Sequence, residues 1–196
     1  MTETGFKDAA IESAQAFRAI MQAMSRPGLP AACQTALQPP APFQATAAAV
    51  ALTLCDFQTP VWISPALGSD GLLHYLRFHT GAPVTSHMAE AQFVFVSVEE
   101  DLPALDRLAQ GTHEYPDRSA TLVVQAQRFN TRDIELSGPG IRGRLGFGVA
   151  GVPSAFWAAM AENHARFPVG VDVIFTTPDA LAAVPRSSEP RLMETA

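Results

Sequence analysis

Apolar residues recur along the chain at helical and strand-like spacings, and these spacings predict most of the secondary structure. The first segment, residues 8–25, has apolar positions at three- and four-residue intervals, which predicts a helix with one buried face. The residues assigned to that face are Ala10, Ala14, Phe17, Ile20 or Met21, and Met24. Asp8 is placed to cap this helix, and the Ser25-Arg26-Pro27-Gly28 sequence ends it abruptly.

Further helices and strands alternate along the rest of the chain. The predicted helices span 45–56, 70–79, 102–110 and 153–165, with a last helical turn at 178–183. The predicted strands span 59–64, 93–98, 121–125, 133–136 and 171–176, with 121–125 and 133–136 forming a hairpin. This alternation predicts an α/β fold, in which a mixed sheet is flanked by helices on both sides.

The length of 196 residues fits a single domain at about 150 residues per domain. We assign residues 1–186 to that domain. From Ser187 the sequence becomes polar, so residues 187–196 are expected to form a flexible C-terminal tail.

Charge and hydropathy exclude several classes of protein. A net charge of −6 without a dense basic stripe argues against nucleic-acid binding. No apolar run approaches the ~20 residues needed to cross a membrane, and the polar N-terminus does not resemble a signal peptide, so a cytoplasmic location is expected. Cys33 and Cys55 are expected to be small buried residues rather than a disulfide or zinc site.

The cationic residues narrow the chemistry further. Twelve of the thirteen are arginines, and the single lysine is Lys7, next to the N-terminus. A Schiff-base enzyme needs a desolvated lysine, and a Walker loop or kinase needs a lysine on the phosphates. Any anion bound by this chain is therefore held by arginine, hydroxyl groups or backbone amides.

Two patterns that resemble cofactor or metal sites are incomplete. The Gly138-Pro139-Gly140-Ile141-Arg142-Gly143 segment matches GxGxxG, but no helix opens directly after it and no acidic residue follows at the required distance. A turn between sheet elements is the favoured interpretation, and an anion-binding nest beside Arg142 and Arg144 is the alternative. The five histidines show no metal-binding spacing, so no metal is expected.

Arg77, His79 and Thr80 stand at the predicted end of the third helix, just before Gly81. Cationic side chains stabilise the C-terminus of a helix, so the position of Arg77 and His79 has a structural explanation that needs no ligand. The functional alternative makes the three side chains ligands of an oxyanion.

Asp56 and Thr59 lie together at a predicted helix-to-strand junction. Asp56 is a candidate general base or acceptor for a ribose hydroxyl, and the alternative is an Asx turn that holds the loop. The polar 116–121 segment lacks the GxSxG elbow of a serine hydrolase, so a turn with a surface ion pair between Asp117 and Arg118 is expected there.

Seven stretches, taken in order, resemble the PhnH family of the bacterial carbon–phosphorus lyase system for phosphonate use. They are FR at 17–18 with AMSRPG at 23–28, LTLCDFQTPVW at 52–62, LRFHTGAP at 76–83, ATLV at 120–123, LSGPGI at 136–141, FPVGVDVIF at 167–175, and VPRSS at 184–188. Together they extend over nearly the whole chain.

The resemblance implies a fold similar to that of pyridoxal-phosphate-dependent transferases that has lost its cofactor site, assembled as a homodimer without a cofactor. It also implies partners: the G, I and L subunits for the reaction, and a larger core with the I, J and G subunits, joined through contact with J. With these, the family converts ATP and an alkylphosphonate into a ribose 1-alkylphosphonate 5-triphosphate, such as alpha-D-ribose 1-methylphosphonate 5-triphosphate, and releases adenine.

Displacement of adenine by a phosphonate oxygen requires anion clamps and stabilisation of an oxocarbenium-like transition state. From residue type at the matched stretches, Arg77, His79 and Thr80 are candidate anion contacts, with Asp56 and Thr59 near the sugar. Two hypotheses stay open: the chain contributes residues to a multi-subunit transferase, with little activity alone, or it is a non-catalytic structural subunit of the complex.

Overall fold

The computed structural model describes residues 4–193, which form two β-sheets and four α-helices. The helices are α1 (Ala9–Ser25), α2 (Ala45–Leu54), α3 (Asp70–Thr80) and α4 (Ser154–Ala165). The strands are β1 (Ala31–Ala32), β2 (Val61–Ile63), β3 (Phe93–Ser97), β4 (Thr121–Gln125), β5 (Phe129–Ser137), β6 (Leu145–Val149), β7 (Asp172–Thr176), β8 (Ala180–Val184) and β9 (Glu189–Leu192). Short 3₁₀ helices span Met88–Glu90, Leu105–Arg107 and Pro116–Arg118.

The larger sheet has six strands in the order β1-β8-β7-β4-β3-β2. Its β2, β3, β4 and β7 are parallel, while β8 pairs antiparallel with both β7 and β1. The sheet is therefore mixed, as the sequence predicts. The smaller sheet, β6-β5-β9, is antiparallel throughout.

Two apolar cores lie on opposite faces of the large sheet. Side chains of β3, β4 and β7 alternate between them, so Phe95, Val123 and Ile174 join the core under α1–α3. Their neighbours in sequence face the second core, which α4 and the small sheet cover through Trp157 and Phe147. The predicted covering of both faces is confirmed, but a second sheet in the covering layer was not foreseen.

The end of α1 and its cap agree with the sequence prediction, but its buried face agrees only in part. Asp8 accepts a hydrogen bond from the Ile11 amide at 3.1 Å. Of the predicted residues, Ile20 is buried and Met24 is partly buried, and the rest of the buried face consists of alanines: Ala16, Ala19 and Ala23. Phe17 and Met21 are 47% and 50% exposed. Alanines let α1 approach α2 and β8 closely, and this close packing outweighs the burial of the larger side chains.

The predicted helix over 102–110 is wrong apart from the single turn Leu105–Arg107. The Gln110 side-chain amide donates to the carbonyl oxygens of Leu105 and Leu108, at 2.7 and 2.8 Å. In a continuing helix a backbone N–H would donate to the Leu105 carbonyl oxygen, and here the Gln110 side-chain amide takes the place of that donor.

The predicted helical turn at 178–183 is also wrong, because residues 180–184 form β8 between β7 and β1. Leu181 to Val184 are completely buried, and pairing on both sides overrides the helical preference of alanine and leucine. The predicted hairpin between 121–125 and 133–136 does not form, since β4 and β5 belong to different sheets.

The C-terminal segment differs from the expected tail. Residues Glu189–Leu192 form β9, which pairs with β5 in the small sheet. Alternating polar residues fit this strand because the outer side of the small sheet is exposed to solvent. Among the described residues, no helix combines the length and the apolar character needed to cross a membrane.

Candidate functional site

The structure brings the two predicted site segments together at one corner of the molecule. Gly81, which ends α3 with φ of +71°, packs so closely on the turn after α2 that a methyl group on it would lie 3.4 Å from the Phe57 Cβ. The chain then runs beside β2, where the Val61 amide donates to the Pro83 carbonyl oxygen at 2.9 Å. We call the 56–59 turn together with the last turn of α3 the α3 corner.

Asp56 forms the Asx turn that the sequence analysis gave as its structural alternative. Its Oδ1 accepts from the Gln58 amide and from the Thr59 hydroxyl, both at 2.8 Å. These bonds, that of the Thr59 hydroxyl first, lower the pKa of the Asp56 carboxyl below its usual value. The exposed carboxylate is thus ionised at neutral pH and suits the acceptance of a hydroxyl proton in a hydrogen bond better than general-base work.

The Thr80 hydroxyl forms its hydrogen bonds within the C-terminal end of α3. It donates to the Leu76 carbonyl oxygen at 2.7 Å and accepts from the Ala82 amide at 3.0 Å. Together with the glycine cap at Gly81, these bonds fix where α3 ends. Thr80 therefore positions the corner, as the Thr59 hydroxyl does on the other segment.

His79 is half-buried among other groups. Its ring meets those of Tyr75 and Phe78 edge to face, with centroids 4.5 and 5.0 Å apart. Gly5 lies directly over the ring, since a Cβ on Gly5 would stand 2.5 Å from its Cε1. The start of the described chain thus covers His79.

Arg77 projects from α3 into solvent, and within residues 4–193 no hydrogen bond or ion pair of its guanidinium is found. Beside it, Phe78 is 76% exposed, and Phe57 across the corner is 71% exposed. The corner therefore presents one always-charged cation and two exposed aromatic rings to solvent.

A second cluster, which sequence reasoning gave no role, is centred on Arg186. Its guanidinium donates to both carboxylate oxygens of Asp172, the shorter bond being 2.6 Å. It also donates to the Pro116 and Pro168 carbonyl oxygens at 2.8 and 3.4 Å, and to the Ser119 hydroxyl. All five N–H donors of Arg186 thus have acceptors inside the protein.

A cavity of about 470 Å³ opens beside this cluster. We call it the proline pocket, because its wall consists chiefly of Met24, Pro116, Pro139, Phe167, Pro168 and Pro185, with Asp117 at its edge. The glycine-rich 138–143 segment is the loop between β5 and β6, which confirms the predicted turn. Gly140 has φ of +81° and approaches the Ser25 carbonyl oxygen too closely for any side chain.

Four of the seven stretches that carry the PhnH resemblance line this pocket: 23–28, 136–141, 167–175 and 184–188. This sequence signal was available, but the stretches are far apart along the chain. Only the strand order shows that they converge, because it sets β7 and β8 beside each other and brings the end of α1 against β8.

Comparison with known proteins agrees with this distribution of motifs. Residues 4–191 match the profile of the PhnH family, described as bacterial phosphonate metabolism proteins. The chain belongs to the PhnH family. It is 40% identical over 185 residues, 94% of this chain and 92% of the relative, to the Alpha-D-ribose 1-methylphosphonate 5-triphosphate synthase subunit PhnH of Rhizobium meliloti (strain 1021).

A second relative, less similar in sequence, also matches nearly the whole chain. HtxG of Stutzerimonas stutzeri, a candidate C-P lyase subunit, is 30% identical over 204 residues, covering 96% of this chain and 95% of the relative. The match to the PhnH family thus includes both the α3 corner and the proline pocket.

Proposed function

We propose that this chain is the PhnH-type subunit of an alpha-D-ribose 1-methylphosphonate 5-triphosphate synthase in a carbon–phosphorus lyase system. The observation that carries the proposal is the 40% identity to the Rhizobium meliloti subunit over nearly the full length of both chains. In this function, ATP and methylphosphonate yield the ribose 1-methylphosphonate 5-triphosphate and adenine. The chain acts there with G-, I-, J- and L-type subunits and has little activity alone.

The α3 corner is our candidate contact for the substrates. Arg77 supplies a positive charge at an exposed helix end whose carbonyl groups would otherwise repel an anion, so it is the side chain that can hold a phosphonate or triphosphate oxygen. The ionised Asp56 carboxylate can accept a ribose hydroxyl through Oδ2, to which no described residue donates. His79 adds a half-buried imidazole beside Tyr75 and Phe78.

Thr59 and Thr80 act by holding Asp56 and the end of α3 in place. Their hydroxyl groups are engaged inside the protein, as their hydrogen bonds show, so a direct contact with substrate would require one of those bonds to exchange. Their expected effect on turnover is therefore smaller than that of Arg77.

A purely structural role is the second candidate, and the outer face of α1 favours it. Ile11, Phe17 and Met21 are 57%, 47% and 50% exposed and lie on one side of this helix. We propose that this face is the contact between two copies of the chain in a homodimer. An apolar helix face of this kind packs well against its own copy about a two-fold axis.

We further propose that the single domain is related to pyridoxal-phosphate-dependent transferases without their cofactor. The mixed sheet covered on both faces is compatible with that relationship. The chain's single lysine, Lys7, is exposed just before α1, so no lysine can form an internal aldimine in the described core.

Reconstitution with one component omitted tests the proposal. Adenine release from ATP and methylphosphonate is measured with the partner subunits, in the presence and absence of this chain. We expect release to stop without it and to return when it is added back. Equal release in its absence would contradict the synthase role.

Variants then separate the two roles. Arg77→Ala should lower turnover while the complex still assembles, and Arg77→Lys should restore part of it. Arg132→Ala is the matched control, because Arg132 is exposed on the small sheet. Unchanged turnover in Arg77→Ala would favour the structural role.

A further inference from the structure

The proline pocket is a cavity that the function proposed for the α3 corner leaves unused. Four stretches of the PhnH resemblance line it, and its volume of about 470 Å³ accommodates one or two large side chains. Its wall is apolar and consists mainly of prolines, with Met24 and the 59%-exposed Phe167.

The pocket offers few hydrogen-bond donors. Prolines have no backbone N–H, and each N–H of Arg186 is already bonded to Asp172, Ser119 or a carbonyl oxygen. An anionic ligand such as a phosphonate or a nucleotide triphosphate would find no cation to replace its hydration. The pocket is therefore unsuited to the substrates of the proposed function.

The charge at the edge of the pocket is negative. Asp172 is neutralised by Arg186, whereas Asp117 is exposed and, among the described residues, forms no ion pair. The predicted ion pair between Asp117 and Arg118 is therefore wrong, because the Arg118 guanidinium lies over the Tyr115 ring, 4.1 Å from its centroid. An apolar cavity with an available carboxylate at its rim fits an apolar side chain that is followed by a cation.

The pocket is also preformed. Arg186 joins the start of β7, the 116–119 turn and the loop at Pro168, and four prolines restrict the backbone of the wall. A rigid apolar pocket lowers the entropic cost of binding for whatever chain enters it.

We infer that the proline pocket is the docking site for a segment of another polypeptide, which inserts a large apolar side chain and places an adjacent Arg or Lys against Asp117. This inference rests on the proposed function, which requires partner subunits. Charge complementarity selects the occupant: among the described residues the Asp117 carboxylate forms no ion pair, so it can pair with a cation that the partner subunit's segment supplies.

Photo-crosslinking in the assembled complex tests this directly. Phe167→p-benzoylphenylalanine is incorporated into the full chain, co-expressed with the G-, I-, J- and L-type subunits, and irradiated. The matched control is Phe57→p-benzoylphenylalanine at the α3 corner, where the phenylalanine is 71% exposed against 59% for Phe167. We expect an adduct from position 167 with another subunit, at a peptide with an apolar residue next to Arg or Lys.

Other adducts would overturn the inference. A crosslink from position 167 to a second copy of this chain makes the pocket part of a homodimer contact. The absence of any adduct in a complex that assembles shows that the pocket is not occupied by protein.

Charge reversal gives a second measurement. Asp117→Lys should weaken binding to the partner subunits roughly tenfold, and Asp117→Asn should weaken it less. Glu162→Lys, on the exposed side of α4, is the control for the change in net charge. Unchanged binding in Asp117→Lys would refute the contact.

Adenine release by the wild-type complex is recorded in parallel. If the wild-type chain neither joins the partners nor supports release, the proposed function is wrong. If it does both and the pocket variants behave like wild type, the docking site alone is wrong.

Discussion

Removing the Arg186 guanidinium should destabilise this protein far more than removing an exposed arginine. The side chains of Arg186 and Asp172 are only 12% and 19% exposed, and their nitrogen–oxygen distance is 2.6 Å. Loss of one partner of a buried ion pair costs about 3–5 kcal/mol, because the other charge is left without compensation. Water still reaches part of Asp172, so we expect about 3 kcal/mol for Arg186→Met.

Urea unfolding followed by circular dichroism measures this loss, and at this chain length it corresponds to a fall in Tm of about 6–12 °C. Arg144→Met is the matched control. Arg144 forms an ion pair with Glu135 at 3.0 Å in which the side chains are 60% and 40% exposed, so its loss should cost under about 1 kcal/mol.

Two more variants identify the cause. Arg186→Lys keeps the charge but has three donors in place of five, so it should lie between wild type and Arg186→Met. Adding Asp172→Leu to Arg186→Met removes the uncompensated carboxylate and should recover part of the loss. Equal stabilities of Arg186→Met and Arg144→Met would refute the reasoning.

Three further predictions concern other parts of the molecule. The pKa of Asp56 is lowered in the folded state, so its contribution to stability is complete above its unfolded pKa of about 4 and is lost as the pH falls through the folded value. Asp56→Asn should therefore flatten the pH dependence of the free energy of unfolding in this range. An unchanged slope would contradict the Asx turn. Burial raises the pKa of Cys33 and raises that of Cys55 to about 12. A disulfide reagent at pH 8 should therefore label both thiols only as fast as the protein unfolds. Rapid labelling of the folded protein would disprove their burial. At concentrations where the chain is monomeric, Ile20→Ala should cost about 2–4 kcal/mol and Phe17→Ala under about 1 kcal/mol in urea unfolding, since Ile20 faces the core and Phe17 does not. A larger loss for Phe17→Ala would show that Phe17 lies on the buried face, as its spacing predicts.

The sequence predicted the elements whose local signals agree with their packing. The helix over 70–79 is correct because Ser69 caps it and Gly81 ends it, and the strand at 93–98 is correct because it is apolar throughout. The buried face of α1 was predicted only in part, at Ile20 and Met24, because hydrophobic spacing favours large side chains, whereas the rest of this interface uses alanines.

Other elements depend on contacts that are distant in sequence. No strand was predicted for residues 145–149, where β6 alternates apolar residues with Gly146 and Gly148. These glycines let β6 lie close to β5. The stretches that carry the PhnH resemblance suggested that Asp56 and the end of α3 belong to one site. That the Thr59 and Thr80 hydroxyls form hydrogen bonds inside the protein could be found only from coordinates.

The position of β8 in the large sheet has a consequence for synthesis of the chain. α1 packs on β8, β1 pairs with it, and the Gly28 amide donates to the Ala183 carbonyl oxygen at 3.0 Å, although about 150 residues separate these partners. α1 also packs on α2, which follows it closely in sequence, but a nascent chain cannot complete the burial of this helix until β8 leaves the ribosome. Folding of this sheet is expected to wait for the synthesis of β8 and to be slow, as it is for proteins with many non-local contacts. A chain released before residue 184 would expose the apolar core to chaperones and proteases.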